Sequence, residues 1–355
     1  MENGTGNKAE NKFINTEYIK AAKLISKTDV QKAVRVWGSG GLVAFPTETV
    51  YGLGANALDP QAVAKIFAVK GRPADNPLIL HLALLSQLRQ VAKAPELAYH
   101  LIEQGQIPGP LTLVLKKDER IPAIVTGGLD TVAVRFPANR TAHELLSAFR
   151  FPVAAPSANL SGHPSPTTAA HVKNDLDGRI ELIVDGGSCE IGIESTVLDL
   201  TGKLPVILRP GFVTREKLES VCGCRVLEAP TEEPAYPASP GMKYKHYAPK
   251  GEVIIVVGAD EALAAYRQAK EKGSTVMLLK SAAAEKLLSQ ANGDILILGG
   301  DKDLVGIAKN LYAMLRLADE RDAKTVIIES VPETGAGIAI MNRIKKAAGI
   351  EPTAQ

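Results

Sequence analysis

Residues 41–54 have the sequence GLVAFPTETVYGLG, in which an apolar run passes directly into a polar, hydroxyl-rich string. The run from Gly41 to Pro46 is typical of a buried strand, and the string after it is typical of a loop. Similar polar strings accompany later apolar runs, namely VKGRPADNPLILH (69–81), VRFP (134–137), APSANLSGHPSP (155–166), GIESTVLDL (192–200) and LRPG (208–211). Open sheets commonly present ligand-binding loops at strand ends, so these strings predict a functional site.

Strands and helices alternate unevenly before residue 220. Further strands are predicted at 78–82, 111–115, 131–136, 181–184, 196–200 and 205–208. Helices are predicted from Asp59-Pro60 to a stop at Gly71, and at 85–91, 95–104 and 141–149. Clustered strands with irregularly interspersed helices favour an α+β domain with a mixed sheet.

The pattern becomes regular after residue 250. Four apolar strands, EVIIVVG (252–258), STVMLLK (274–280), DILILGG (294–300) and TVIIES (325–330), are followed by predicted helices at 260–272, 282–290, 302–319 and 338–348. Near-continuously apolar strands that alternate with helices predict a small, doubly wound, Rossmann-like parallel sheet. The chain as a whole is therefore predicted to be α/β.

The composition predicts four segments: a disordered tail over 1–14, a site-bearing domain over 15–228, a linker over 229–250 and a second domain over 251–350. The linker holds five prolines together with several tyrosines and lysines. A plain spacer would leave Tyr236, Tyr244, His246 and Tyr247 wholly in water, which is costly for such side chains. We therefore predict that residues 229–250 form a lid over the site.

Composition also excludes several classes of protein. The 355 residues carry a formal net charge of +2, which argues against a dedicated polyanion binder. The apolar runs have the length of strands and not of membrane spans, and the polar N-terminus lacks a signal-peptide pattern, so a cytoplasmic protein is expected. Three cysteines without a nearby second pair do not suggest a zinc site.

The familiar catalytic motifs GxxxxGK[ST], HExxH, GxSxG and CxxC are absent from the sequence. The string from Gly52 to Ala57 has the glycine spacing of a dinucleotide-binding turn, but it does not pass directly into a helix. A Rossmann fingerprint at this string is therefore not favoured.

The polar strings hold four cations, Lys70, Arg72, Arg135 and Arg209, and only two central acids, Glu48 and Glu194. Fixed cations among many hydroxyls suit a polyphosphate together with a carboxylate, whereas glycoside hydrolysis needs paired carboxylates. Each cation also has a structural interpretation; Lys70, for example, lies where a positive charge favours the end of a helix. Joint occurrence of the strings is what favours a functional site.

The strings Lys70-Gly71-Arg72 and Ser157-Ala158-Asn159 match the KxR…SxN signature of the YrdC-like family. The flanking PTETVYGLG, NPLILH, APSAN, ESTV and RPG match as well, and the linker string SPGMKYKHYAP (239–249) is typical of its long form. Almost the whole chain after the tail thus resembles the two-domain form of L-threonylcarbamoyladenylate synthase. The resemblance implies a concave, twisted, mixed sheet in a YrdC-like catalytic domain.

The resemblance also implies an activity: a cytoplasmic nucleotidyltransferase that makes L-threonylcarbamoyl-AMP from L-threonine, bicarbonate and ATP with Mg²⁺, for proteins that modify tRNA. The ATP-binding residues that it implies are Lys70, Arg72, Asn76, Thr131, Ser157, Asn159, Ser165, Arg209 and Tyr244. Those that it implies for threonine are Thr49, His81, Arg135, Ala155 and Ser195. None is an obvious nucleophile, so catalysis by positioning through Lys70, Arg72, Ser157 and Asn159 is expected, with Mg²⁺ held by the triphosphate.

Two alternatives remain open at this point. The first is a non-enzymatic RNA-binding module, which the low net charge and the 5% aromatic content disfavour without excluding weak RNA binding. The second is the carbamoyl-adenylate chemistry of hydrogenase maturation proteins, whose acylphosphatase and zinc-finger segments are absent from this sequence.

Overall fold

The computed structural model describes residues 14–21, 24–229, 247–291 and 293–350, and they build two separate sheets. We call the larger sheet with its helices the first unit and the smaller sheet with its helices the second unit. Most of the predicted tail and most of the predicted linker lie outside the described residues.

The first unit contains a mixed sheet. Its twelve strands in the described residues are β1 (Glu17–Lys20), β2 (Val43–Phe45), β3 (Gly52–Asn56), β4 (Ile79–His81), β5 (Ala92–Lys93), β6 (Leu111–Lys117), β7 (Thr131–Arg135), β8 (Val153–Ala155), β9 (Leu182–Asp185), β10 (Thr196–Asp199), β11 (Val206–Arg209) and β12 (Leu227–Glu228). Their order is β1-β9-β2-β3-β8-β4-β7-β6-β10-β11-β12, with β5 paired to β6. Parallel pairs such as β4 with β7 stand beside antiparallel pairs such as β6 with β7, which confirms the predicted mixed sheet.

Helices cover this sheet. They are α1 (Lys27–Gly38), α2 (Pro60–Lys70), α3 (Leu85–Val91), α4 (Glu96–Glu103), α5 (Ala123–Thr126), α6 (Arg140–Phe149), α7 (Ala169–Leu176) and α8 (Arg215–Cys222). Apolar side chains of α2 and α7 join the largest core, and those of α1 and α6 pack around Trp37 in a second core. The sequence analysis did not predict β1, β5, β8, β12, α1, α5, α7 or α8.

Helix α2 shows how local sequence sets a boundary that the site needs. Asp59 caps its N-terminus by accepting hydrogen bonds from the backbone N–H groups of Gln61 and Ala62, and Pro60 occupies the first turn. Gly71 ends the helix in the left-handed conformation at φ 61°. The helix therefore stops where predicted, and this stop sets the direction in which Lys70 and Arg72 leave it.

The sequence analysis treated residues 52–54 as part of a loop, and the structure corrects this. They begin β3, which pairs antiparallel with β2. A Cβ on Gly54 would lie 2.7 Å from Val153 and 2.9 Å from Phe45, so this glycine permits close packing of neighbouring strands. The strand character was hidden because glycine has low strand propensity.

The second unit contains four parallel strands in the order β13-β16-β14-β15. Its elements are β13 (Glu252–Val256), α9 (Gly258–Lys270), β14 (Thr275–Lys280), α10 (Ser281–Leu287), β15 (Ile295–Gly299), α11 (Leu304–Glu320), β16 (Thr325–Glu329) and α12 (Ala336–Ala347). Helices α11 and α12 share one core with the sheet, and α9 and α10 share another, so the predicted doubly wound sheet is confirmed. Within the described ranges, no helix is long and apolar enough to cross a membrane.

The core between α11 and α12 extends into the first unit. It includes Val50 and Ile193, which belong to loops of the first unit, and Tyr247, at the end of the predicted linker. Beside them, Gly192 adopts φ +83°, and a Cβ at this position would lie 2.4 Å from the Cα of Lys309 in α11. The backbone of a first-unit loop therefore lies directly against a second-unit helix.

This close approach generates a stability prediction. Gly192→Ala adds a methyl group that meets the α11 backbone, whereas Gly187→Ala adds one at a similar φ, +85°, with nothing within 4 Å. Both variants bear the cost of a left-handed alanine, about 1–2 kcal/mol. We expect Gly192→Ala to lose a further ~1–3 kcal/mol from overpacking, seen as a lower midpoint of thermal unfolding. Equal midpoints for the two variants would contradict the contact.

Candidate active site

A cavity in the first unit gathers most of the predicted site residues. Ten of them line it: Lys70, Arg72, His81, Arg135, Ala155, Ser157, Asn159, Ser165, Ser195 and Arg209. The cavity is also lined by Thr47, Val50, Tyr51, Glu194 and Tyr247, among others. The polar strings, which lie far apart in the sequence, thus enclose one space, and the described residues place four cations and one carboxylate at its wall.

Lys70 fixes the shape of one side of the cavity. Its ammonium group is buried and donates hydrogen bonds to the carbonyl oxygen of Ser157 at 2.5 Å, to the carbonyl oxygen of Asn159 and to Asn159 Oδ1 at 3.5 Å. Burial and the neighbouring Arg72 lower the pKa of Lys70 well below its ordinary value. The signature lysine and the SAN string are therefore one structural assembly.

The SAN string is held further by its own side chains. Ser157 Oγ donates to Asn159 Oδ1 at 2.5 Å, and Asn159 Nδ2 donates to the carbonyl oxygens of Leu160 and His163. The loop that follows α2 is fixed by Arg72, whose guanidinium donates to the carbonyl oxygen of Pro77 at 3.1 Å. These bonds hold two parts of the cavity wall in place.

His81 and Arg135 lie side by side at the ends of β4 and β7. His81 Nδ1 is 3.1 Å from the carbonyl oxygen of Ile79, which assigns the proton of the neutral ring to Nδ1 and leaves Nε2 as an acceptor. Burial and the charge of Arg135 lower the pKa of His81 from 6.5 to about 3. Arg135 itself is buried and paired with Glu48 at 2.7 Å.

Arg209 and Ser195 form another part of the cavity wall. Arg209 donates from Nε to the Ser195 carbonyl oxygen and from Nη2 to Ser195 Oγ, both at 3.2 Å. Ser195 Oγ also lies 2.7 Å from the hydroxyl of Thr112 in β6. Hydroxyls linked in this way keep the buried guanidinium in a fixed position.

Glu194 is held by the predicted site residue Ser165 and by two residues that the sequence analysis did not select, Tyr312 and Arg343. Its carboxylate accepts hydrogen bonds from Ser165 in the first unit and from Tyr312 and Arg343 in the second. Tyr312 and Arg343 lie in predicted helices, but nothing local marks them as site residues because their partner is more than 100 positions away. Tyr247 also reaches the cavity, stacked on Tyr312 with ring centroids 5.2 Å apart.

The remaining predicted site residues lie elsewhere. Thr49 is buried behind Thr47, with the two hydroxyls 2.9 Å apart, and Thr131 begins β7. Asn76 is buried next to Arg72, and its side-chain amide has no hydrogen-bond partner among the described residues. Tyr244 and residues 230–246 of the predicted lid lie outside the described residues. The lid stays a prediction, and the described end of this segment bonds from Ala248 N to the carbonyl oxygen of Gly162.

A mixed sheet whose loops enclose a cationic, hydroxyl-rich cavity, followed by a small parallel sheet, defines a two-domain YrdC-like protein. Residues 35–211 match the Sua5, YciO and YrdC family model, described as telomere recombination, and residues 213–349 match the threonylcarbamoyl-AMP synthase C-terminal domain. These matches confirm the resemblance carried by the KGR and SAN strings.

Comparison with full-length relatives supports the same family. The threonylcarbamoyl-AMP synthase of Pyrococcus abyssi is 45% identical over 94% of this chain and 98% of its own, and that of Bacillus subtilis is 46% identical over 90% and 93%. The crystal structure of P. abyssi Sua5 complexed with L-threonine has a TM-score of 0.88 at 45% identity and covers 95% of this chain and 98% of its own. The chain belongs to the threonylcarbamoyl-AMP synthase family and is an enzyme.

The depressed pKa of His81 generates a pH prediction. Between pH 6.5 and about 3 the unfolded chain protonates this histidine and the folded protein does not, so the free energy of unfolding falls as the pH is lowered through that window. We expect His81→Gln to lose less stability than the wild type between pH 7 and pH 4.5, measured by guanidinium unfolding. His143→Gln, at an exposed position of α6, is the control and should follow the wild type. Parallel curves for His81→Gln and the wild type would contradict the assignment.

Proposed function

We propose that the protein catalyses the reaction of L-threonine, bicarbonate and ATP to L-threonylcarbamoyl-AMP, pyrophosphate and water. As a nucleotidyltransferase, it would supply this adenylate to the proteins that transfer the threonylcarbamoyl group to tRNA. The observation that carries the proposal is the cavity itself, where the described lining holds four cations, many hydroxyls and a single carboxylate. The names of the full-length relatives support the same reaction.

The ATP side of the proposal rests on the chemistry of the walls. Lys70, Arg72 and Arg209 provide positive charge, and Ser157, Asn159 and Ser165 provide neutral polar groups around the same space. Asn76 is outside the described cavity lining, and its buried amide has no hydrogen-bond partner among the described residues; its assignment to ATP rests on the family pattern and on its position beside Arg72. We assign Thr131 and Tyr244 to ATP on the family pattern alone.

The threonine side rests on His81, Arg135 and Ser195, with Thr49 and Ala155 assigned on the family pattern. Glu48 accepts a hydrogen bond from Nη2 of Arg135. Because a guanidinium group has five N–H donors, others remain for a substrate carboxylate. The neutral His81 ring offers Nε2 as an acceptor to the threonine ammonium or hydroxyl group. The threonine-bound structure of P. abyssi Sua5 supports an amino-acid subsite in this fold.

In this proposal the protein promotes the reaction by positioning the substrates. The threonine nitrogen forms a bond to the bicarbonate carbon with loss of water, and an oxygen of the resulting carbamate attacks the α-phosphorus of ATP while pyrophosphate leaves. The cations hold the phosphates and stabilise the developing charge, which removes the need for a protein nucleophile. Mg²⁺ fits on the triphosphate, since the one carboxylate of the described lining, Glu194, is occupied by Tyr312 and Arg343.

The reaction is tested directly with purified protein, ATP, radiolabelled bicarbonate and single amino acids. We expect pyrophosphate release and a labelled adenylate only when threonine and bicarbonate are both present. Serine lacks the methyl group of threonine and should be a poorer substrate, disfavoured relative to threonine by ~1–3 kcal/mol. Equal pyrophosphate release without threonine, or release of phosphate with ADP, would contradict the proposal.

Two arginine variants separate the subsites. Arg72→Ala should weaken ATP binding, and Arg135→Ala should chiefly raise the threonine concentration needed for half-maximal rate. Each loses a charge-assisted contact of roughly 1.5–3 kcal/mol. Calorimetry with ATP and with threonine distinguishes the two effects, and unchanged ATP affinity in Arg72→Ala would remove this residue from the nucleotide subsite. Arg120→Ala, at an exposed arginine paired with Asp118, is the control.

A further inference from the structure

One loop contributes four residues to the cavity lining: Ser161, Gly162, His163 and Ser165. They lie within residues 160–165, which form neither helix nor strand and which we call the 160–165 loop. The loop follows the SAN string and carries Ser165, a predicted ATP-binding residue. Its position therefore decides where part of the cavity wall lies.

An ion pair between the two units holds both ends of this loop. Asp175, in α7, accepts a hydrogen bond from the backbone N–H of Leu160 at 3.2 Å. Arg316, in α11 of the second unit, donates to both oxygens of Asp175, from Nη1 at 3.1 Å and from Nη2 at 2.8 Å. Nη2 of Arg316 also donates to the carbonyl oxygen of Pro164 at 2.6 Å. The pair is thus bonded to the backbone at the first residue of the loop and at the last but one.

The middle of the loop contacts the same ion pair and two neighbouring segments. His163 Nδ1 lies 3.6 Å from Asp175 Oδ1, and the carbonyl oxygen of His163 accepts from Asn159 Nδ2 at 2.9 Å. The carbonyl oxygen of Gly162 accepts from the backbone N–H of Ala248 at 3.1 Å. A displacement of the loop would therefore also disturb the SAN string.

The ion pair is buried, with side-chain exposures of 8% for Arg316 and 5% for Asp175. Burial disfavours the ionised carboxylate, but the contacts from His163 and Arg316 outweigh it and hold the pKa of Asp175 below its ordinary value. A buried ion pair generally stabilises a fold no more than well-packed apolar side chains do, because both charges lose their hydration. Apolar side chains could not, however, supply the hydrogen bonds to the loop backbone at Leu160 and Pro164.

We propose that Arg316 and Asp175 are positioning residues for the nucleotide subsite: they hold the 160–165 loop, and with it Ser165 and the SAN string, in the place where ATP binds. This inference rests on the proposed function. Neither residue of the pair belongs to the described cavity lining, so both act through the loop. The second unit thereby takes part in substrate binding through α11.

Calorimetric titration of the full chain with ATP and with threonine tests this. Arg316→Met removes the donors to Asp175 and Pro164. It should raise the dissociation constant for ATP by about three- to tenfold, the worth of about one hydrogen bond, and that for threonine by less than about twofold. Leu315→Ala is the matched control, because it removes a buried side chain of the second-unit core next to Arg316 and should bind both ligands like the wild type.

The partner residue provides a second variant. Asp175→Asn keeps the shape of the side chain and removes its charge, so it should weaken ATP binding to a similar extent. The double variant Asp175→Asn/Arg316→Met should bind ATP within about twofold of the weaker single variant, because both substitutions act through one loop. Effects that multiply in the double variant would contradict a shared action.

Hydrogen exchange of a peptide that covers the 160–165 loop measures the positioning itself. Exchange should be faster in Arg316→Met than in the wild type and in Leu315→Ala. Wild-type ATP affinity in Arg316→Met, equal losses for ATP and threonine, an equal loss in Leu315→Ala, or unchanged exchange of the loop would each overturn the inference.

Should Arg316→Met not fold, as judged by circular dichroism, Arg316→Lys takes its place. Lysine keeps the positive charge but lacks the planar fork that bridges Asp175 and Pro164, so it should weaken ATP binding at least about twofold. Unchanged ATP affinity in that variant would overturn the inference. A wild type that binds neither ATP nor threonine would instead refute the proposed function.

Discussion

The burial of one anion, the carboxylate of Glu194, constrains both units of the structure at once. An ionised carboxylate leaves water only at a cost of several kcal/mol unless donors surround it. Here the donors come from both units, so neither can shift without exposing an unpaired charge. Arg316 repeats the arrangement one turn along α11, where it pairs with Asp175 and donates to the carbonyl oxygen of Pro164, the residue before Ser165.

Several of the charged residues in the polar strings stabilise the walls of the cavity. Lys70 donates its hydrogen bonds to oxygens of the SAN string, and Arg135 is paired with Glu48. The structural and functional interpretations of these residues therefore do not compete. A cavity that must hold reactive groups without a nucleophile needs rigid walls, and buried cations bonded to backbone oxygens provide them.

Local signals explain what the sequence could predict. The cap at Asp59, the stop at Gly71 and the apolar strands of the second unit are short-range patterns, and they gave the corresponding elements within a few residues. Strand β3 was missed because its glycines are needed for close packing against Phe45 and Val153. These residues come near the glycines only in the folded sheet. The partners of Glu194 were missed for the same reason, since a buried arginine in an amphipathic helix has no local signature until its counter-ion is known.

Residues 193–195 serve three environments in succession. Ile193 packs into the core of the second unit, Glu194 bonds across the junction, and Ser195 faces the cavity and Arg209. Inserting or deleting one residue here would place each side chain in the surroundings of its neighbour. A carboxylate would then lie in an apolar core, or an isoleucine at a polar wall. The length of this stretch is therefore fixed as strictly as its composition.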